Sequence, residues 1–337
     1  MAVARPIRRI LTWIIVAFII IIGALGIWGY FLERAFDSPG SHSVPAKVNI
    51  MAGSGVQLIA DKLYSVGVID DYKVFVFGVW RNGDGGSLMA GEYLFPAHAT
   101  PREIMEIILS GKVVNYRLTI PEGLTSNEIL QLIKNTEGLK GKIRIVPLEG
   151  TLLPETYYFR RGDSRESIVQ RMKITFERLM GKLWKDRSSN LPFLTIDQVV
   201  TLASIVEKET GFTNERGKIA GVFINRIRKN MRLQSDPTVI YAITKGLSAL
   251  NRALRREDLK INSPFNTYLY KGLPPSPISN PGRASIEAVL HPTDTDALYF
   301  VASPDGGHVF ANTLAEHNKN VAIWRKFRNA ENQRMQK

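Results

Sequence analysis

Two carboxyl groups stand close together in Glu207-Lys208-Glu209-Thr210-Gly211. A carboxyl kept protonated near neutral pH is a general acid, and partial burial is one way to keep it so. The residues just before the pair predict the helix that presents it. Thr195-Ile196-Asp197-Gln198 has capping-box form, and Val199, Leu202, Ala203 and Val206 recur at helical spacing on one face. Gly211 is placed to stop that helix. On a helical wheel Lys208 points away from the apolar stripe, while Glu207 and Glu209 flank it on opposite sides, Glu209 next to Leu202. Either can be partly buried, so periodicity does not choose between them. Two solvated glutamates at a helix end fit the same pattern.

The chain downstream offers further polar groups. Ile219, Val222, Phe223 and Ile227 mark the next helix, with Asn225 and Arg226 on its polar side. The run Arg232-Leu233-Gln234-Ser235-Asp236-Pro237-Thr238-Val239-Ile240-Tyr241 then gathers donors and acceptors suited to a sugar. Gln234, Asp236, Thr238 and Tyr241 are its candidate contacts. A polar turn opening a helix reads the same way, because Asp236 before Pro237 also shapes a turn. Asn266-Thr267-Tyr268 leads into a stretch from Gly272 to Gly282 whose prolines prevent a regular helix or central strand. Such a stiff loop suits a cleft wall. Ala297 to Ala302 reads as a buried strand and Gly307 to Phe310 as its partner, joined by a turn at Pro304-Asp305-Gly306-Gly307. His291, His308 and His317 are scattered without metal-ligand spacing, so neither a metal nor a cofactor is expected. No P-loop, GxGxxG fingerprint or GxSxG elbow is present, which leaves nucleotide and acyl-transfer chemistry unsupported.

The elements upstream carry an internal echo. Val48 to Gly53, followed by Ile59 and Leu63, resembles Leu118 to Gly123, followed by Ile129 and Ile133. In both, an apolar alternation runs into a glycine turn, and an amphipathic helix starts at equal offsets. A strand–turn–helix unit used twice is the economical reading. Met89 to Phe95 reads as a strand. Thr100-Pro101-Arg102-Glu103 opens a helix with Thr100 as N-cap and Pro101 at its first position. The stretch from Arg160 to Asn190 reads as a charged linker, though Ile168, Met172, Ile174 and Phe176 keep helical spacing.

Ahead of all this, Ile10 to Leu32 holds no charge and is roughly 23 residues long, enough to cross a bilayer as a helix. Arg5, Arg8 and Arg9 precede it, and Trp13, Trp28 and Tyr30 lie near its ends. The positive-inside rule puts the N-terminus in the cytoplasm and the rest outside. A cleaved signal peptide would have a shorter apolar core and a small-residue cleavage site. With 337 residues, 45% of them hydrophobic, the chain can build more than one packed core. Its net charge of +13 is spread along the sequence, with no basic arm interleaved with aromatics, so nucleic acid is not an expected partner. The absence of cysteine excludes disulfides and a thiolate nucleophile.

The motifs become specific when taken together. Ala203 to Thr210, Val222 to Arg226, Leu233 to Tyr241, Gly272-Leu273-Pro274-Pro275, Asn280-Pro281-Gly282, Glu122-Gly123 and Leu153-Pro154-Glu155-Thr156-Tyr157 resemble, in order and spacing, the YceG-like family of membrane-anchored endolytic murein transglycosylases. The resemblance places the family's catalytic glutamate on Glu209, not Glu207, and Glu209-Thr210 is similar to the Glu-Ser pair of lysozyme-like lytic transglycosylases. It implies cleavage between N-acetylmuramic acid and N-acetylglucosamine with a 1,6-anhydro product. It also implies peptidoglycan and the inner membrane as partners, with peptidoglycan synthases nearby. Residues 46–112 resemble a LysM module, a small sugar-binding fold.

The expected fold class is α+β. A single N-terminal transmembrane helix leads to a LysM-like α+β module, then to a mixed α/β catalytic domain with a lysozyme-like helical active-site region. The expected boundaries are 1–9 cytoplasmic, 10–32 transmembrane, 33–45 linker, 46–114 LysM-like and 115–337 catalytic. Two other activities fit the same residues. One is a hydrolytic muramidase, with Glu207 or Asp236 activating water. The other is a membrane-tethered peptidoglycan-binding protein without activity.

Overall fold

The computed structural model describes residues 4–335. The chain is a mixed α+β protein that divides into two compact units between Tyr116 and Arg117.

The first unit opens with α1 (Ala4–Phe36), followed by β1 (Ala46–Ile50), α2 (Val56–Ser65), α3 (Tyr72–Arg81), β2 (Gly91–Phe95) and α4 (Pro101–Leu109). Strands β1 and β2 pair antiparallel, with Ala46 opposite Phe95 and Ile50 opposite Gly91. The expected cap of α4 is present in full. The Thr100 hydroxyl accepts from the Glu103 N–H, and the Glu103 carboxylate accepts from the Thr100 N–H. Along α1, one stretch of 28 residues, Arg9–Phe36, is long and apolar enough to cross a membrane.

The stretch 33–45, expected as a linker, is tied into the core of the first unit. Helix α1 runs on through Phe36, whose ring is 1% exposed inside that core. A Cβ added at Gly78 of α3 would lie 2.2 Å from that ring, so only glycine lets the two helices approach so closely. Arg102 donates to Asp37 at 2.5 Å and to Glu33 at 3.3 Å, and its guanidinium lies over the Phe36 ring. Sequence pattern misses this because Phe36 lies in a polar run, where one aromatic carries no period.

Strand β3 (Tyr116–Thr119) starts at the boundary, and the second unit continues with α5 (Ser126–Asn135), β4 (Thr156–Phe159), α6 (Arg165–Leu183), α7 (Ile196–Glu209), α8 (Thr213–Arg228), α9 (Asp236–Thr244), α10 (Arg283–Leu290), β5 (Tyr299–Ala302), β6 (His308–Ala311) and α11 (Leu314–Met335). The strand–turn–helix echo is visible. Gly53 and Gly123 both turn at positive φ, 82° and 76°, between a strand and a helix. Ile59, Leu63, Ile129 and Ile133 are all buried behind them. The charged stretch read as a linker is largely α6. Its Ile168, Val169, Met172, Phe176 and Met180 are buried, and only its outer face carries the charges.

Helix α7 lies at the centre of this unit's core. The sequence marks one apolar face, but all residues from Val199 to Val206 are buried. Helices α8, α9 and α10 pack on it, and the proline-rich loop adds Ile278 to the same core. There the Ile278 N–H donates to the Ser204 hydroxyl at 3.0 Å, which accounts for a buried serine. The helix also ends differently than expected. Thr210 turns the chain extended, at φ −141° and ψ 136°, so the stop precedes Gly211.

Candidate active site

The end of α7 presents both glutamates, and their surroundings separate them. Glu207 turns toward structural partners. Arg216 of α8 donates to its Oε1 at 3.0 Å, and the Gly282 N–H donates to its Oε2 at 2.9 Å. The side chains of Arg216 and Glu207 are 7% and 5% exposed. Arg216 also reaches Glu122 at 3.3 Å. Glu207 is thus a fastener between α7, α8 and the start of α10.

Glu209 turns the other way. Its carboxyl is partly buried at the floor of a cleft of about 340 Å³ that it shares with Gln234, Asp236, Tyr268, Phe300 and His317. The Ser235 hydroxyl donates to its Oε1 at 2.5 Å. Burial pushes its pKa up to about 7. The Ser235 bond opposes the shift, the Asp236 charge adds to it, and His308 and Arg226 oppose it. A carboxyl with this pKa is populated in both protonation states at neutral pH, as a group that first gives and then takes a proton requires.

The segment facing it is held from behind. Leu233 is fully buried, and Gln234 adopts φ 54°, a left-handed conformation that is costly for a residue with a side chain. Thr267 fixes that turn. It accepts from the Gln234 N–H through its carbonyl at 3.1 Å and from the Ser235 N–H through its hydroxyl at 3.0 Å. Ser235 precedes α9, but its hydroxyl is not used as a helix cap and is available to Glu209. Asn266, fully buried, donates to the carbonyls of Leu259 and Ile261 and so anchors the platform that carries Thr267.

Of the four expected contact residues, two reach this cleft. Gln234 and Asp236 are exposed on its wall, and Tyr268 donates its hydroxyl to Asp236 at 2.6 Å. Thr238 does not reach it. Its side chain is fully buried, donating to the Ser235 carbonyl at 2.7 Å and sharing a hydrogen bond with Thr267 at 2.8 Å. Tyr241 packs on Phe265 and lines a separate, larger cavity of about 460 Å³ that does not include Glu209. Five residues at about 100° each put Asp236 and Tyr241 about 140° apart around α9, a separation that composition alone conceals.

Several residues of the site were not singled out as such. Arg226, expected on a polar face, is 7% exposed and works as a tie. It donates to the Leu298 carbonyl and to the Leu233 carbonyl, both at 2.6 Å, and so binds α8 to the segment before β5 and to the segment before Gln234. Its neighbour Asn225 donates to the Thr295 carbonyl at 2.6 Å. Glu215 holds His308 of β6 through both the backbone N–H, at 2.9 Å, and the ring, at 2.8 Å. The expected hairpin is present, with Tyr299 opposite Ala311, but β5 is half-buried, not buried. Phe300 packs edge-on to Phe223 and to His308, which places the hairpin against the cleft.

The fold and this site define an α+β protein with a protonatable carboxyl at the end of a central helix. The YceG-like family matches residues 48–323, and the chain belongs to that family. An endolytic murein transglycosylase of Bacillus subtilis is 34% identical over 332 residues, covering 89% of this chain and 90% of the relative. One of Streptococcus pneumoniae is 28% identical over 361 residues, and the match spans 91% of this chain but 64% of that protein. The crystal structure of a YceG-like protein from Listeria monocytogenes aligns with a TM-score of 0.53 at 34% identity, covering 82% of this chain and 98% of that one.

Proposed function

We propose that this chain is a membrane-anchored lytic transglycosylase that cuts peptidoglycan glycan strands internally, with Glu209 as its single acid–base group. The observation that carries this reading is the state of Glu209: a carboxyl raised to about 7 by burial, yet open to a cleft. The relatives named endolytic murein transglycosylase supply the substrate and the reaction class.

Protonated Glu209 donates its proton to the glycosidic oxygen between N-acetylmuramic acid and N-acetylglucosamine. That bond breaks, and the muramyl N-acetyl oxygen stabilises the positive charge at the anomeric carbon. Glu209, now a carboxylate, takes the proton of the muramyl C6 hydroxyl as that oxygen bonds to the anomeric carbon. The product is a 1,6-anhydro end, and Glu209 is left protonated for the next turnover. Ser235 supports the ionised half of the cycle, because a hydroxyl donor favours a carboxylate. Gln234 and Asp236 contact the sugar from the wall of the cleft. Thr238 and Tyr241, buried and turned to another cavity respectively, hold α9 in place instead.

Helix α1 anchors the chain in the inner membrane with its N-terminus in the cytoplasm, on the strength of its length, its apolarity and the arginines before it. The rest of the first unit and the whole second unit then lie in the periplasm and reach strands near the membrane, where peptidoglycan synthases make them. The first unit, with its mixed strand and helix content, adds LysM-like glycan contact. Digestion of purified peptidoglycan tests the catalytic reading. Wild type should release anhydromuramyl ends by mass spectrometry, and Glu209→Gln, nearly isosteric, should fold and release none. Reducing ends in place of anhydro ends would favour hydrolysis, for which Asp236 in the same cleft is the available second carboxylate.

A further inference from the structure

Two loops of the second unit meet at the mouth of the cavity of about 460 Å³, away from Glu209. The first is 140–148, Lys-Gly-Lys-Ile-Arg-Ile-Val-Pro-Leu, and the second is 245–256, Lys-Gly-Leu-Ser-Ala-Leu-Asn-Arg-Ala-Leu-Arg-Arg. The start of α5 clamps them together. Ser126 donates its hydroxyl to the Leu148 carbonyl at 3.1 Å. Thr125 and Asn127 donate to the carbonyls of Gly246 and Leu247, both at 2.8 Å.

The rim they form is unusual in two ways at once. Ile145, Val146, Leu148 and Leu247 are 73%, 67%, 79% and 66% exposed, a concentration of large apolar side chains that nothing in the second unit covers. The charged residues within both loops are all basic, although the Glu166 carboxylate accepts from the Arg144 N–H at 3.1 Å. Lys140, Lys142, Arg144, Lys245, Arg255 and Arg256 are exposed, and neither loop contains an aspartate or glutamate. Just beyond the second loop, Glu257 is exposed and Asp258 pairs with Arg252 and feels Arg255, while Glu149 just beyond the first loop is partly buried and takes the Ser126 N–H at 2.8 Å. Isolated apolar side chains on a surface need no explanation, but a group of them on two loops with a basic surplus matches a layer of anionic headgroups over hydrocarbon.

We propose that this rim docks on an anionic phospholipid surface, with Leu148 and Leu247 entering the interface and the cations among the headgroups. The proposal rests on the membrane-anchor reading, which puts a bilayer at hand. Its consequence is a second membrane attachment, on the catalytic unit itself, which would hold the Glu209 cleft at a fixed height above the bilayer.

The chain has no cysteine, so a single introduced thiol gives a clean probe. Full-length Leu148→Cys and Leu247→Cys, labelled with an environment-sensitive fluorophore, are reconstituted into phosphatidylglycerol or phosphatidylcholine vesicles containing brominated lipid. Leu194→Cys, 87% exposed in a stretch, 191–198, without a cation, is the control site. The expected result is a blue shift and quenching at positions 148 and 247 in the anionic vesicles, lost in high salt. Both signals should also be lost on replacing Lys142, Arg144, Arg255 and Arg256 by Gln, while the control label stays bright. Equal signals at 148, 247 and 194 would overturn the proposal, as would quenching that is the same in both lipids. So would a response to soluble peptidoglycan in place of lipid. Protein that fails to float with either vesicle would overturn the anchor reading itself, which separates the two failures.

Discussion

Arg216 clasps Glu207 at 3.0 Å, with the two side chains 7% and 5% exposed, and that one pair decides which carboxyl of the motif is free for chemistry. Both oxygens of Glu207 are engaged, one by the guanidinium and one by the Gly282 N–H. Glu209, at the same helix end, receives a neutral hydroxyl from Ser235 and is raised to about 7.

The two glutamates should therefore fail differently. Glu207→Gln keeps an oxygen for the guanidinium but removes the charge, leaving the longer, half-exposed Glu122 as the ion-pair partner of a buried arginine, and breaking a buried pair costs about 3–5 kcal/mol. Urea melts should show that loss. Glu209→Gln should keep the fold and lose at least about 10²–10⁴-fold in peptidoglycan cleavage. A Glu207→Gln protein as stable as wild type would contradict the fastener role.

The proposed reaction begins with Glu209 protonated, so its rate should fall as pH rises through about 7. Burial is the main cause of the raised value, and Glu209→Asp, which shortens the reach of the carboxyl, should not restore it. Initial rates on purified peptidoglycan between pH 5 and pH 9, on the order of one pH unit apart, would locate the limb. A profile flat across that interval would rule out a carboxyl with this pKa as the acid.

Stability should carry the same signature. The folded pKa of Glu209 is raised above its unfolded value, so the folded state holds its proton more tightly. Its stabilising contribution is full below the unfolded value of 4.5 and is lost as pH rises toward and through about 7. At pH 8 the ionised group should cost about 3 kcal/mol relative to pH 4, which Glu209→Gln avoids. The difference in stability between variant and wild type should thus grow with pH. A constant difference would mean that Glu209 is not shifted.

Ser235→Ala removes the hydrogen bond that favours the carboxylate, so the pKa of Glu209 should rise further. The descending limb of the rate profile should move to higher pH, while the maximal rate falls because the ionised half of the cycle loses support. Ser235→Thr, which retains the hydroxyl, should stay near wild type. A limb that does not move on loss of the hydroxyl would sink this assignment.

Phe36→Ala empties a site in the core of the first unit, where the ring is 1% exposed against Gly78. The expected loss is about 3–5 kcal/mol in that unit. Proteolysis of the vesicle-bound protein should then cut near residues 37–45, which wild type protects.

Much of the architecture was legible in the residue pattern. The capping boxes at Thr100 and Thr195, the paired glycine turns at Gly53 and Gly123, and the apolar run of α1 are all local signals, and local hydrogen bonds and periodicity decide them. The motifs also located the cleft segment around Gln234 and Asp236. Less legible were side chains whose partners lie far along the chain. Arg226 and Asn225 read as surface groups because a helical wheel sees only its own helix, and the carbonyls they bind belong to residues 233 and 295–298.

The sequence by itself determined a chain with one membrane-length apolar helix, repeated strand–turn–helix units and a pair of glutamates at the end of an amphipathic helix. It could not choose between Glu207 and Glu209 on periodicity, because both flank the same apolar stripe. Only the tertiary structure brought Arg216 and the Gly282 N–H to one and Ser235 to the other. The reason is physical: a carboxyl's pKa is set by the charges, donors and water around it, and these arrive from distant parts of the chain.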